Sequence, residues 1–383
     1  MNTETRDKPV SLTSALLQRL GDAIHAAGGW LPFDRFMAMT LYEPGLGYYA
    51  NSSPKFGQLP QGQDGQGSDF VTAPELSPLF GATLARQVAQ ALTATGTDEV
   101  WEFGAGTGAL ALQILDAFES MGQPLRRYTI VDLSGSLRER QRRTLERHAA
   151  RVRWVDQLPE GFDGVVVGNE VLDAMPVQLL RRAGGQAGGV WHERGVAQAP
   201  DGSLVWADRC TALRPPVDIE GPHDYLTEIH PQAEAFVRTL AERLQRGAAF
   251  FIDYGFPEAE YYHPQRHMGT LICHRAHRSD DNPLADVGLK DITAHVNFTG
   301  IALAAQDAGM TVLGYTSQGR FLINCGLLDV AKEAGPRANA MLGKLVNEHE
   351  MGELFKVIGL APETSATGWD PVGFSAGDRT HRL

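Results

Sequence analysis

The chain has 383 residues, 43% hydrophobic and 21% charged, which suits a globular protein with a sizeable core and argues against a disordered one. Its 34 basic residues against 46 acidic ones leave a net charge of −12. No long run of Lys or Arg offers a phosphate-tracking surface, so nucleic acid is set aside as a partner; the acidic balance is compatible with a cationic substrate or a basic protein segment. Cys210, Cys273 and Cys325 lie far apart without CxxC spacing, which speaks against a disulfide framework or a zinc site and fits a reducing compartment.

From the N-terminus, Met1–Val10 carries Glu4 and Asp7 and no apolar stretch, so it does not read as a secretory signal. No segment approaches the roughly 20 apolar residues of a membrane span, and the expected location is cytoplasmic. Leu12, Leu16, Leu17 and Leu20 recur at helical spacing, and a second short helix is expected over Phe33–Met39 after Pro32. Tyr42–Asn51 is turn-rich and aromatic. The glycine-rich stretch Gly57–Ser68 reads as a mobile loop, and a helix follows over about Ser77–Ala94, with Phe80, Leu84, Val88 and Leu92 on one face. Residues 1–97 are thus expected to form an N-terminal helical extension.

From residue 98 short apolar runs alternate with amphipathic helices, the signature of βαβ units. Strands are expected at Val100–Phe103, Tyr128–Leu133, Val152–Val155, Gly164–Gly168 and Ala248–Asp253. Helices are expected at Ala109–Glu119, Ser136–His148, Pro231–Gln245 and Ile301–Ala308, with closing strands at Thr311–Tyr315 and Phe355–Ile358. The alternation breaks twice, which suggests insertions at about 177–228 and 255–298; the first carries short β-type runs and reads as antiparallel. The fold class is α/β, a doubly wound Rossmann-like sheet spanning 98–383.

The strongest motif is Glu102-Phe103-Gly104-Ala105-Gly106-Thr107-Gly108, between a strand and a helix. Glycines there permit a tight turn and close approach of a ligand to the backbone. Gly104, Gly106 and Ala109 also satisfy the looser dinucleotide fingerprint. Glu102 favours a different ligand, because a carboxylate there would repel a pyrophosphate and attract the ammonium and sulfonium of S-adenosyl-L-methionine. Asp132 ends the second strand, where an acid can accept both ribose hydroxyl protons; Leu133 and Ser134 follow it, with Ser134 also a helix cap. Asp156, Gln157 and Leu158 end the third strand, where analogous folds contact adenine. After the fourth strand, Asn169, Glu170 and Asp173 lie at the ligand edge. A buried carboxylate there can orient a nitrogen acceptor and take its proton; equally, Asp173 can cap a helix and Glu170 can bond loop backbone. His295 and Tyr254 are further candidates for the acceptor pocket. The sequence cluster His263, His267, His274 and His277 lacks a metal-binding frame, and no metal is expected.

The EFGAGTG run resembles the first motif of class I methyltransferases. Together with YEPGLGYYAN (42–51), DFVTAPELSPLFG (69–81), GNEVLDAMPV (168–177), FIDYG (251–255) and DITAHVNF (291–298), in that order, it makes the chain similar to the MidA family. That resemblance implies a methyltransferase using S-adenosyl-L-methionine, with Thr72, Pro74 and Glu75 closing over the donor and the glycine-rich loop serving as a lid. It also implies a protein arginine acceptor, such as a respiratory complex I subunit. Two positions depart from the family pattern: Asp132 stands where many members carry Glu, and Asn297 where Asp is expected. A small-molecule methyltransferase and a non-catalytic, donor-binding assembly factor for a respiratory complex are the alternative readings.

Overall fold

The computed structural model describes residues 12–51, 72–132, 134–184, 189–275 and 277–383; Leu133 and the Gly57–Ser68 loop lie outside them. Five strands of the main sheet run parallel: Glu99–Phe103, Arg127–Val131, Val152–Val155, Phe162–Asn169 and Leu244–Phe256, here called the first to the fifth. Across the sheet they stand in the order third, second, first, fourth, fifth. Phe355–Pro362 then pairs antiparallel with the fifth strand and Met310–Ser317 antiparallel with Phe355–Pro362. Chain order reverses between the first and fourth strands, and ligands of open α/β sheets bind at such a switch point, beyond the carboxyl ends of the strands.

The pleat explains why these strands read as continuous apolar runs. Side chains alternate between faces, and both faces are covered. Val100, Val165, Val167, Phe250, Ile252 and Val357 pack on one side with helices Pro78–Thr95 and Ala109–Met121. Trp101, Phe103, Val166, Phe251 and Ile358 pack on the other with helices Pro231–Arg243 and Phe298–Asp307. Pro78–Thr95 is bounded as its sequence suggests: the Ser77 hydroxyl accepts from Leu79 N–H at 3.3 Å, and Gly96 ends it at φ 62°. Although this helix precedes residue 98, it belongs to the packing of the main sheet.

A second core forms from segments far apart in sequence. Strands Gln178–Arg182, Trp191–Gln198, Leu204–Cys210 and Tyr225–Ile229 build an antiparallel sheet, which Leu31–Pro32 joins by pairing with Trp191–Gln198. Helices Leu12–Ala26 and Phe33–Tyr42 bury Leu16, Leu20, Phe33, Phe36 and Leu41 against Leu179, Val196 and Ile292. A small sheet of Ile272–Arg275, Arg278–Asp280 and Asp291–Thr293 extends this lobe. Among the described residues no helix is long and apolar enough to cross a membrane.

Candidate active site

The carboxyl edge of the main sheet and the second lobe enclose a cavity of about 1140 Å³. The first strand delivers Glu102 and Phe103 to its wall, and the chain then turns through Gly104, Gly106 and Gly108 at φ 63°, 51° and 87°, a region that a Cβ disfavours. Gly104, Ala105 and Gly106 line the cavity. Gly108 does not; it caps Ala109–Met121 from behind, where a Cβ would stand 3.4 Å from the Gln141 Cα. Glu102 is buried and accepts a hydrogen bond from Tyr128 Oη at 2.7 Å. Burial raises its pKa to about 8; the Tyr128 bond opposes the rise, and nearby Asp132 adds to it. A cation beside Glu102 would restore its charge.

Asp132 lines the next stretch of wall. Its Oδ1 accepts from Ser134 N–H at 2.8 Å and its Oδ2 from Gln141 Nε2 at 2.7 Å. Ser134 faces the cavity and also caps Gly135–Thr144, accepting from Leu137 N–H at 3.4 Å. Asp156 reaches the cavity, but Gln157 is exposed and Leu158 packs against the apolar cluster on the helix-covered face. An apolar stretch of the wall is formed by Phe103, Val131 and Phe236; Phe103 and Phe236 meet edge to face at 5.0 Å. Thr72, Pro74 and Glu75 line the cavity at the start of the short helix Ala73–Leu76. They are tied to the glycine turn: Thr107 Oγ1 donates to Glu75, and Gln113 Nε2 donates to the Pro74 carbonyl at 2.7 Å.

The fourth strand ends at Asn169, and Glu170 follows at φ 54°, a left-handed conformation that costs a glutamate roughly 1–3 kcal/mol. Asp253, three residues before the end of the fifth strand at Phe256, supports it. One carboxylate oxygen of Asp253 accepts from the N–H groups of Val171, Leu172 and Asp173 at 3.1, 2.9 and 3.3 Å, and the other from Tyr254 N–H at 3.0 Å. The Glu170 carboxylate accepts from Asn169 Nδ2 at 2.9 Å and from Ala73 N–H. Burial, then the charge of Asp173, pushes its pKa up to about 8. Asp173 is raised to about 6 by burial, opposed by a hydrogen bond from Tyr254. No helix starts at Asp173; it sits in the turn before strand Gln178–Arg182, so capping does not account for it.

Across the cavity stand Tyr42, Tyr49, His274, Asp291, Thr293 and His295. Tyr49 Oη donates to Asp291 at 2.7 Å, Tyr42 Oη to the Ala174 carbonyl at 2.8 Å, and the two rings stack at 5.5 Å. His295 lies edge-on between Tyr254 and Phe256, and burial holds its imidazole neutral with a pKa near about 4. No lysine or arginine lines the cavity among the described residues. Asn297 caps helix Phe298–Asp307, its side chain accepting from Gly300 N–H. Sequence reasoning misses Asp253, Asp291, Tyr42, Tyr49 and Gln141. The FIDYG, YEPGLGYYAN and DITAHVNF runs mark the neighbourhoods of four of them, but only the folded chain brings them together around one cavity.

These residues fit S-adenosyl-L-methionine. Left-handed glycines leave room along the turn, Glu102 matches an ammonium, Asp132 matches a ribose diol, and the buried Asn169 Oδ1 has no hydrogen-bond partner among the described residues. The comparisons with known proteins agree. A family model described as "Putative S-adenosyl-L-methionine-dependent methyltransferase" matches residues 83–316. A crystal structure of a Burkholderia thailandensis protein bound to S-adenosyl-homocysteine is 50% identical, covers 100% of both chains and superposes with a TM-score of 0.90. The mitochondrial protein arginine methyltransferase NDUFAF7 of Mus musculus is 28% identical over 87% of this chain and 81% of its own length. The Caenorhabditis elegans homolog is 26% identical over 96% and 92%. The chain belongs to the MidA family of S-adenosyl-L-methionine-dependent methyltransferases, with the class I fold.

Proposed function

We propose that this methyltransferase modifies arginine on a protein substrate. The observation that carries the reading is the acceptor wall. Glu170, Asp173 and Asp291 face one cavity beside the stacked Tyr42 and Tyr49 rings, and Asp291 and Asp173 both act on the Glu170 carboxyl. Carboxylates and an aromatic face are what a planar guanidinium pairs with best. The donor supplies a methyl carbon activated by a sulfonium. Glu170 and Asp173 orient the acceptor nitrogen, and Glu170, whose pKa is pushed up to about 8, takes the proton that nitrogen gives up as the N–C bond forms, the S–C bond to the methyl breaks and S-adenosyl-homocysteine leaves. The relatives named as protein arginine methyltransferases support the same acceptor class.

The test incubates purified protein and labelled donor with a lysate from cells lacking the native enzyme, then hydrolyses the product for amino-acid analysis. Methylarginine in the protein fraction is the expected result. Label only in low-mass compounds would replace the reading with small-molecule methylation, and label in no fraction would overturn it. The family resemblance extends the proposal to a respiratory complex I subunit as acceptor, and free cysteines that suit a reducing compartment extend it to a cytoplasmic setting. Loss of one methylarginine from complex I in a deletion strain is the expected outcome, and an unchanged methylation pattern would remove that extension.

A further inference from the structure

We propose that Gln141 is a donor-positioning residue, holding the Asp132 carboxylate and the glycine turn in the geometry that receives the ribose. Gln141 lies on helix Gly135–Thr144, outside the cavity wall, and is fully buried. Its Nε2 donates to Asp132 Oδ2 at 2.7 Å and to the Gly106 carbonyl at 3.1 Å, while its Oε1 accepts from Trp154 Nε1 at 2.9 Å. An indole N–H only donates, so Trp154 dictates which end of the amide is the oxygen. Both amide hydrogens must then face the donor cradle, one for each acceptor.

The consequence is a carboxylate fixed at both oxygens. Ser134 N–H holds Oδ1, Gln141 holds Oδ2, and Arg138 Nε donates to the Asp132 backbone carbonyl at 2.8 Å. A bond to each oxygen sets the plane of the carboxylate. Gly108 belongs to the same arrangement. Its φ of 87° is one that glycine adopts freely, and the turn it completes leaves the Gly106 carbonyl within reach of the Gln141 amide. A carboxylate already oriented loses less entropy on binding than one that must be ordered by the ligand.

Calorimetric titration with S-adenosyl-homocysteine tests this without reference to the acceptor. Replacing Gln141→Leu removes a charge-assisted bond to Asp132 and should weaken binding about tenfold. If Gln141 acts through Asp132, the Gln141→Leu/Asp132→Asn pair should bind little worse than Asp132→Asn alone, because residues sharing one interaction are not additive. Gln141→Glu keeps shape and the Trp154 bond but sets a second carboxylate against Asp132. Its affinity should be low at high pH and recover as the pair gains a shared proton, while the wild type lacks that trend. Independent, multiplying effects of the two single changes would overturn the proposal, as would wild-type affinity in Gln141→Leu. Should that variant fail to fold, the isosteric Gln141→Glu decides alone: a pH dependence of affinity equal to that of the wild type refutes it.

Discussion

Removing Asp253 should loosen the acceptor loop and uncouple it from the donor site. One oxygen of Asp253 gathers three backbone N–H groups of residues 171–173, and the stretch they hold includes buried Leu172 and Asp173. A hydrogen bond to a charged acceptor contributes roughly 1.5–3 kcal/mol, and a buried donor left without a partner costs a similar amount. The carboxylate also sits near Asp173 and Glu170, and burial with those like charges raises its pKa well above the ordinary range. Removing the carboxyl also relieves that burial and repulsion, which offsets part of the loss. Asp253→Ala should therefore destabilise the fold by about 3 kcal/mol. Asp253→Asn should cost about 1 kcal/mol, since one oxygen can still gather the loop while the amide opposes the Tyr254 N–H. Urea unfolding followed by fluorescence measures both. Freed from its anchor, Glu170 can leave its left-handed backbone, so methyl transfer should fall in both variants while affinity for S-adenosyl-homocysteine stays within about threefold. An Asp253→Ala protein of wild-type stability that transfers methyl at the wild-type rate would refute the reasoning.

Further outcomes follow from the same geometry. Glu170→Gly removes a strained side chain at φ 54° and should stabilise the fold by about 1 kcal/mol while abolishing transfer; reduced stability in urea would contradict the strain. Glu102 and Glu170 keep their protons to about pH 8 in the folded state against 4.5 ordinarily, so the folded chain binds the extra protons between those values. Stability should fall as pH rises through that window and level off above it, and a Glu102→Gln/Glu170→Gln protein should show a flatter profile between pH 6 and 9. If Glu170 takes the proton, kcat/KM for the acceptor should decline as pH drops below about 8, and Glu170→Gln should lose that limb together with most of the rate. Gly104→Ala would place a Cβ 2.8 Å from Val171 Cγ2 at a positive φ, so donor affinity measured by calorimetry should drop by at least about tenfold.

The main sheet, its glycine turn and the acid after the second strand are legible in the sequence because each is a local pattern. Apolar runs such as Gly164–Gly168 report a strand covered on both faces, and EFGAGTG reports a turn that tolerates left-handed backbone. The positions of Gln157 and Leu158 were not legible: a strand end shows which residues are near the edge, but the departing chain decides which of them turn inward. Nor could the sequence show that Tyr49 and Asp291, 242 residues apart, share one hydrogen bond, or that Asp253 supports a loop more than 80 residues before it. The second pairing comes from the fourth and fifth strands lying side by side, with Ile252 opposite Asn169; the first arises when helices Leu12–Ala26 and Phe33–Tyr42 bury their apolar faces on the inserted sheet, which carries Tyr42, Tyr49 and Asp291 to the cavity. Local propensity determined the donor cradle. The acceptor wall exists only where two cores, built from distant segments, close on each other and take their carboxylates out of water.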